Sequence, residues 1–231
     1  MTTPTRAPGR AVKRRAGRPR RPAGSRAALL AAGTELFAAH GFDGVSVSAI
    51  AEKAGVNKAM ISYHFGGKRD LYAAILAATF QEIVADVERI AGSSGPAPQV
   101  LRAIVAAIGE AATDRHPHFC TMMLREVLTG GQHMEKTVLA QPARVLAAVQ
   151  RVVERGVREG AFRPVDPLLT HLSLVGSLVF FFATTRFRQR VIQDRLDREP
   201  PDGATYVKHL QDLIIEGLAT RGAGSGRGDR P

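Results

Sequence analysis

The chain has 231 residues, 45% of them apolar and 23% charged, which is enough for one large domain or two small ones with a real core. A single cysteine excludes an internal disulfide framework and a Cys-rich zinc site and fits a reducing compartment, and no tryptophan is present to build an aromatic cage. The net charge of +11 is uneven: residues 1–26 carry eight Arg and one Lys with no acid, and the remainder carries 23 basic against 21 acidic residues, so the basicity is a tail suited to a polyanion.

Residues 1–24 are rich in Arg, Pro, Gly and Ala without an apolar pattern, and read as a disordered basic arm. From Ser25 the pattern turns helical: Leu29, Gly33, Leu36, Phe37 and His40 recur at three-to-four spacing until Gly41. Ser46 is placed to cap a short helix through Lys53, Gly55 marks a tight turn, and Asn57 is placed to cap a second short helix through Phe65, which Gly66-Gly67 break. A long helix follows, with Leu71, Ile75, Leu76, Phe80, Ile83, Val84, Val87 and Ile90 along one side. Gly92 to Pro98 reads as a linker. Further helices are expected over about 99–114, 118–128, 134–159 (with Pro142 as a start or kink), from Pro167 to about Arg190, and 204–220; the tail from Gly222 is Gly-rich. No strand alternation is visible, so the predicted fold class is all-α.

Two short helices joined by a glycine turn, with small Ala51 at the crossing and Ile50, Val56 and Ile61 able to pack beneath, form helix-turn-helix patterning, in which the second helix is held out to enter the DNA major groove. Leu29-Leu30-Ala31-Ala32, Leu36-Phe37, Gly41-Phe42, Val47, Ile50-Ala51, Ala54-Gly55-Val56, Ile61, Tyr63-His64-Phe65 and Lys68-Arg69-Asp70-Leu71 carry a resemblance. Over Ser25 to Leu76 the chain resembles the N-terminal domain of tetracycline-repressor-type (TetR family) transcriptional regulators. The resemblance implies an N-terminal three-helix DNA-binding domain followed by a C-terminal helical ligand-binding and dimerisation domain, whose last helices pair with those of a second copy. It also implies DNA contacts from Ser48, from Lys58, Ala59, Met60, Ser62, Tyr63 and His64 on the second short helix, and from Lys68 to phosphate. Ser46 and Asn57, which open the two short helices, complete that set. Ser62 stands where many members have Tyr, Val45 where many have Thr, and Ser48 where many have a long side chain.

Gly17-Arg18-Pro19-Arg20 resembles an AT-hook core, which puts Arg18 and Arg20 in a minor groove beside each half-site; a nonspecific phosphate-binding tail is the competing reading. In the C-terminal part, Phe119, Met122, Met123 and Arg125, with Val179 and Phe182, are the candidate lining of an apolar ligand pocket, against ordinary core; Arg125 and Glu126 read equally as pocket groups or a surface pair. Phe180, Phe181 and Phe182 occupy successive directions round a helix, which calls for neighbours on more than one side. Phe180, Phe181, Leu210, Leu213, Ile214 and Leu218 are therefore the candidate dimer interface.

His116, His118 and His133 lack ligand spacing, so no metal is assigned, and no cofactor motif, Walker A loop, G-x-S-x-G elbow or H-E-x-x-H is found. Cys120 among Phe119, Met122 and Met123 reads as core rather than as a redox sensor. The uncharged run from Leu168 to Thr185 contains six polar residues and reads as a buried helix, not a membrane span, and the twin arginine before Ala27 lacks the rest of a signal.

The resulting expectation is a cytoplasmic, non-enzymatic homodimer. It comprises an arm over 1–24, a helix-turn-helix domain over 25–67, an effector and dimerisation domain over 68–221, and a tail over 222–231. Its partners are a double-stranded pseudo-palindromic operator and an unknown small-molecule effector that releases it. The alternatives are a nucleoid-type architectural protein that uses the arm without sequence choice, and a helical enzyme or lipid-binding module with an incidental helix-turn-helix.

Overall fold

The computed structural model describes residues 24–195 and 199–220. Among these, the helices in chain order are α1 (Ser25–His40), α2 (Val47–Lys53), α3 (Ala59–Phe65), α4 (Lys68–Ala91), α5 (Ala97–Glu110), a π-helical turn over Ala111–Arg115, α6 (Phe119–Leu128), α7 (Lys136–Arg158), α8 (Pro167–Ala183), α9 (Thr185–Arg195) and α10 (Gly203–Leu218). The only β-type pairing among the described residues is one isolated bridge, Phe162 with Ala219. The predicted tail from Gly222, and Arg18 and Arg20 of the arm, lie outside the described residues.

Caps account for many of the boundaries. Ser46 Oγ accepts from the Ala49 amide at 3.1 Å to open α2, and Asn57 Oδ1 accepts from Ala59 at 2.9 Å ahead of α3. Asp166 accepts from Leu168 and Asp202 from Thr205, both at 2.7 Å, to open α8 and α10. Gly41 and Gly66 end α1 and α3 with φ of 74° and 90°, a region that costs an L-residue strain.

The structure refines one expected helix and breaks another. α7 begins before Pro142 and runs through it. The apolar run predicted to reach Arg190 breaks at Thr184, and α8 and the start of α9 are bent by 68° there. No Gly or Pro marks that break; instead Thr184 Oγ1 donates to the Phe180 carbonyl and Thr185 Oγ1 to that of Phe182, giving the backbone an alternative to the helical ladder. Among the described residues no single helix is long and apolar enough to cross a membrane.

The buried apolar side chains form two cores. The first unites Leu29, Phe37, Val45, Ile50, Ile61, Leu71, Leu76 and Phe80 with Met122 of α6 and Val138 of α7. The second unites Val84 and Val87 with Leu101, Ile104, Val149, Val152, Phe162, Leu174, Leu178, Leu210 and Leu218. The change of core falls inside α4, between Phe80 and Ile83, rather than at residues 92–98, where the chain simply turns between α4 and α5. α4 is thus a shared beam.

The return of the chain after α7 needs a missing side chain. Phe162, 1% exposed, lies so close over Gly156 that a Cβ there would overlap its ring, while the Gly156 carbonyl accepts from the Ala161 and Phe162 amides. Gly156→Ala gains about 1 kcal/mol of helix propensity but forces about 1–3 kcal/mol of overpacking. The expected result is a net loss of up to about 2 kcal/mol, a thermal midpoint lowered by up to roughly 4–8 °C in a scanning denaturation; a raised midpoint would contradict the packing.

Candidate functional site

Ile50 and Ile61, both 0% exposed, pin α2 and α3 to the first core. Gly55, at φ 65°, makes the turn, and the Val56 amide donates to the Ala51 carbonyl at 3.0 Å. With Ile61 inward, the opposite side of α3 is fixed outward. Lys58, Ala59, Ser62 and Tyr63 share that exposed side, joined by Asn57 and, from α2, by Ser46 and Ser48. Tyr63 is 75% exposed, an unusual position for an aromatic ring with no surface to meet.

Three predicted contact residues are turned elsewhere. Met60 packs against the first core. His64 Nε2 lies 2.6 Å from Ser25 Oγ, tying α3 to the start of α1. Lys68 differs most from expectation: its Nζ donates to the carbonyls of Phe42 and Val45, both at 2.9 Å, and lies 4.2 Å from the centroid of the Phe42 ring. An ammonium has three donors, and two of them close the α1–α2 loop. Lys68 therefore organises the loop that carries Ser46, while the adjacent Arg69 is exposed.

Phe42 also stacks near His133, 4.5 Å between ring centroids, and leads to a contact that the sequence leaves open. Glu126, 2% exposed, accepts from Tyr72 Oη at 2.8 Å and from the His133 amide at 3.3 Å, with His133 Nδ1 at 3.1 Å. Burial and the Glu126 carboxylate hold the Tyr72 phenol well above its ordinary pKa, so it remains a donor. Arg125 donates from Nη2 to the Ala39 carbonyl at 3.1 Å, placing a cation at the C-terminal end of α1. Glu126 and Arg125 thus fasten α6 to α4 and α1; they form neither a surface pair with each other nor one pocket wall. Carboxylates this deeply buried are rare enough that the pattern of α6 alone could not have shown it.

The predicted ligand residues do not converge. Arg125 and Phe182 line an open cleft of about 750 Å³ between α1, α6, the end of α8, α9 and the segment before α10. Phe119 and Met122 line a smaller cavity of about 350 Å³ against α1 and α4. Met123 packs on the first core, and Val179 lines neither space. The short α6 crosses between the two cores and spends its apolar side on the first.

The predicted interface set also divides. Phe180 is 61% and Leu213 58% exposed, but Phe181 stacks on Tyr206 at 3.7 Å, Leu210 and Leu218 are buried in the second core, and Ile214 packs against it. Exposed Leu169 and Leu172 of α8, neither of them in the predicted interface set, continue the line of Phe180 at helical spacing. His116 meets Glu82 at 3.0 Å and borders the smaller cavity together with His118, which also lines the larger cleft, while His133 lies elsewhere, against Glu126. Burial pushes the Cys120 thiol up to about 12, which keeps it protonated and unreactive at neutral pH.

Residues 29–75 match the model of bacterial regulatory proteins of the tetR family, and residues 98–214 match the tetracyclin repressor-like C-terminal domain. The chain belongs to the TetR family. It is a DNA-binding regulator of transcription and not an enzyme. Among curated relatives of this TetR-family chain, the transcriptional repressor NicS of Pseudomonas putida is 28% identical over 195 residues, covering 82% of this chain and 90% of NicS. The transcriptional regulator RutR of Escherichia coli is 26% identical over 220 residues, covering 91% and 98%. The TetR-family regulator PfmR of Thermus thermophilus superposes with a TM-score of 0.66 at 25% identity, covering 83% of this chain and 99% of PfmR.

Proposed function

We propose that the regulator works as a homodimer whose two α3 helices read the halves of a pseudo-palindromic operator, and that a small-molecule effector releases it. The observation that carries this reading is the exposed side of α3, with Lys58, Ser62 and a 75% exposed Tyr63 held outward by fully buried Ile61. Lys58 reaches guanine O6 and N7 from such a position, and Ser62 and Tyr63 supply hydroxyls for base edges or phosphate. Ser46, Ser48, Asn57 and Ala59 border the same surface.

A second observation supports the dimer. Leu169, Leu172 and Phe180 form an exposed apolar stripe on α8, and Leu213 lies exposed on α10. A monomer rarely leaves such a stripe in water, and pairing α8 and α10 with those of a second copy covers it as a four-helix bundle. The working division is then a basic arm over 1–24, a DNA-binding unit over 25–67 and an effector and dimerisation unit over 68–221. Acting on a bacterial chromosome places the protein's work in the cytoplasm.

Release follows from linkage. α6 is tied to α1 through Arg125 and to α4 through Tyr72 and Glu126. A ligand that favours a different α6 position therefore favours a different spacing of the two α3 helices, provided its affinity differs between the two forms. Genomic fragments selected by the purified chain at about 0.15 M salt, where exposed charge is largely screened, are expected to share one inverted repeat. Uniform recovery would replace this reading with that of a nonspecific architectural protein.

The arm joins the body at a telling place. α1 opens at Ser25, which is bonded to His64 of α3, and Arg26 lies over the Phe65 ring at 5.1 Å. The first turn of α1 is therefore seated beside the DNA-reading helix, and the AT-hook-like Arg18 and Arg20 that precede it in sequence are assigned to a minor groove next to each half-site. Removing residues 2–23 is expected to weaken operator binding and to flatten its logarithmic salt dependence by about 0.9 for each phosphate that the arm no longer neutralises. An unchanged slope in a salt titration would exclude any contact from the arm.

A further inference from the structure

We infer that the larger cleft takes a small organic carboxylate with a compact apolar body, its acid group paired with Arg188; this rests on the proposed effector-release reading and names the ligand class for that cleft. The cleft holds about 750 Å³, room for such a molecule. It opens between the end of α1 and the α8–α9 bend, so its occupant touches both the DNA-binding unit and the effector core.

The charge inventory of the walls favours an anion. Two carboxylates line the cleft, and both have partners. Glu35 is paired with Lys53 at 2.8 Å, which draws its pKa below the usual range. Asp202 caps α10 through the Thr205 amide, with the same direction of shift. Of the cationic walls, Arg125 is turned to the Ala39 carbonyl. Arg186 and Arg188 face the same space, and neither has a carboxylate within ion-pair distance among the described residues.

Arg188 is the more constrained of the two. Its guanidinium lies 3.6 Å from the centroid of the Phe181 ring, which is itself stacked on Tyr206. Nη1 donates to the Phe181 carbonyl and the Thr184 hydroxyl, while Nε is buried with no hydrogen-bond partner among the described residues. Among the described residues this rigidly held, partly desolvated guanidinium has no counter-charge, and a carboxylate supplies one with a planar, charge-assisted contact. Phe182 and Thr121 of α6 also line the cleft, an aromatic side chain for the ligand body and a hydroxyl for a polar group.

The test uses the full chain with benzoate, 4-phenylbutyrate and octanoate, each against its own amide, titrated calorimetrically. At least one acid is expected to bind about tenfold or more tightly than its amide. Arg188→Gln is expected to abolish that preference, and Arg188→Lys to retain part of it. Because loss of the Phe181 stack could unfold the first variant, Thr121→Trp supplies an independent check: it fills the cleft from α6 and is expected to exclude the acid without touching Arg188. Three outcomes overturn the inference: no acid bound more tightly than its amide, a preference that survives Arg188→Gln in a folded protein, or one that survives Thr121→Trp. Operator binding by the same unliganded samples separates these outcomes from failure of the regulator reading, which would show as loss of sequence-specific DNA binding.

Discussion

Lys58→Ala is expected to weaken operator binding by between about thirty-fold and about twenty-thousand-fold. Lys58 is exposed ahead of α3, beside the Asn57 cap, with no acidic partner among the described residues. One base contact of this kind is worth about 1–3 kcal/mol, and a homodimer forgoes it twice. The substitution should also relax the preference at one symmetric pair of operator positions, because a base contact carries sequence information and a phosphate contact does not. Fluorescence anisotropy against the operator and against symmetric single-base variants distinguishes the two. Affinity unchanged by the substitution would remove Lys58 from the interface; a uniform weakening with a shallower salt slope would move it to the phosphates.

Glu126→Ala is expected to be the most destabilising polar substitution in the described fold. It leaves the buried Tyr72 hydroxyl and the His133 amide without their acceptor. Each orphaned group costs about 1–3 kcal/mol, so a loss of about 3 kcal/mol is expected, or roughly 6–12 °C in thermal midpoint for a chain of this size. Glu126→Gln keeps an acceptor for Tyr72 and should fall between. A midpoint within about 2 °C of the parent for the alanine variant would show that α6 is not fastened to α4 through this carboxylate. The substitution acts at the junction of the two cores, so reduced stability and loosened coupling to α1 should appear together.

The helix-turn-helix was legible because its signals are local. Ser46 and Asn57 cap, Gly41, Gly55 and Gly66 take positive φ, and Ile50 and Ile61 fix which side is buried, all within a few residues. What the sequence left unresolved depends on contacts far apart in the chain. Lys68 reads as an exposed cation at a helix start, yet its acceptors are 23 and 26 residues away. Glu126 finds Tyr72 across 54 residues. Periodicity marks Leu210 and Leu218 as apolar without saying whether they face their own core or another copy; the structure places both in the core and leaves Leu169, Leu172 and Phe180 outside. α8 is apolar nearly all round, so its pattern could not select a side. The break at Thr184 escaped because hydroxyl back-bonding replaces the usual Gly or Pro signal.

In the proposed mechanism two α3 helices, held at a fixed separation by one dimer, read two half-sites together. Inserting five base pairs between the half-sites of the selected operator tests this most directly, since about 10–10.5 base pairs make one turn and the insertion rotates one half-site to the far side of the duplex. Affinity is expected to fall to that of a single half-site, and a further five base pairs, which return the half-site to the same face but roughly 34 Å farther away, are not expected to recover it. Binding indifferent to the insertion would contradict a rigid dimer reading paired half-sites and would leave the basic arm, or one protomer alone, as the agent of DNA binding.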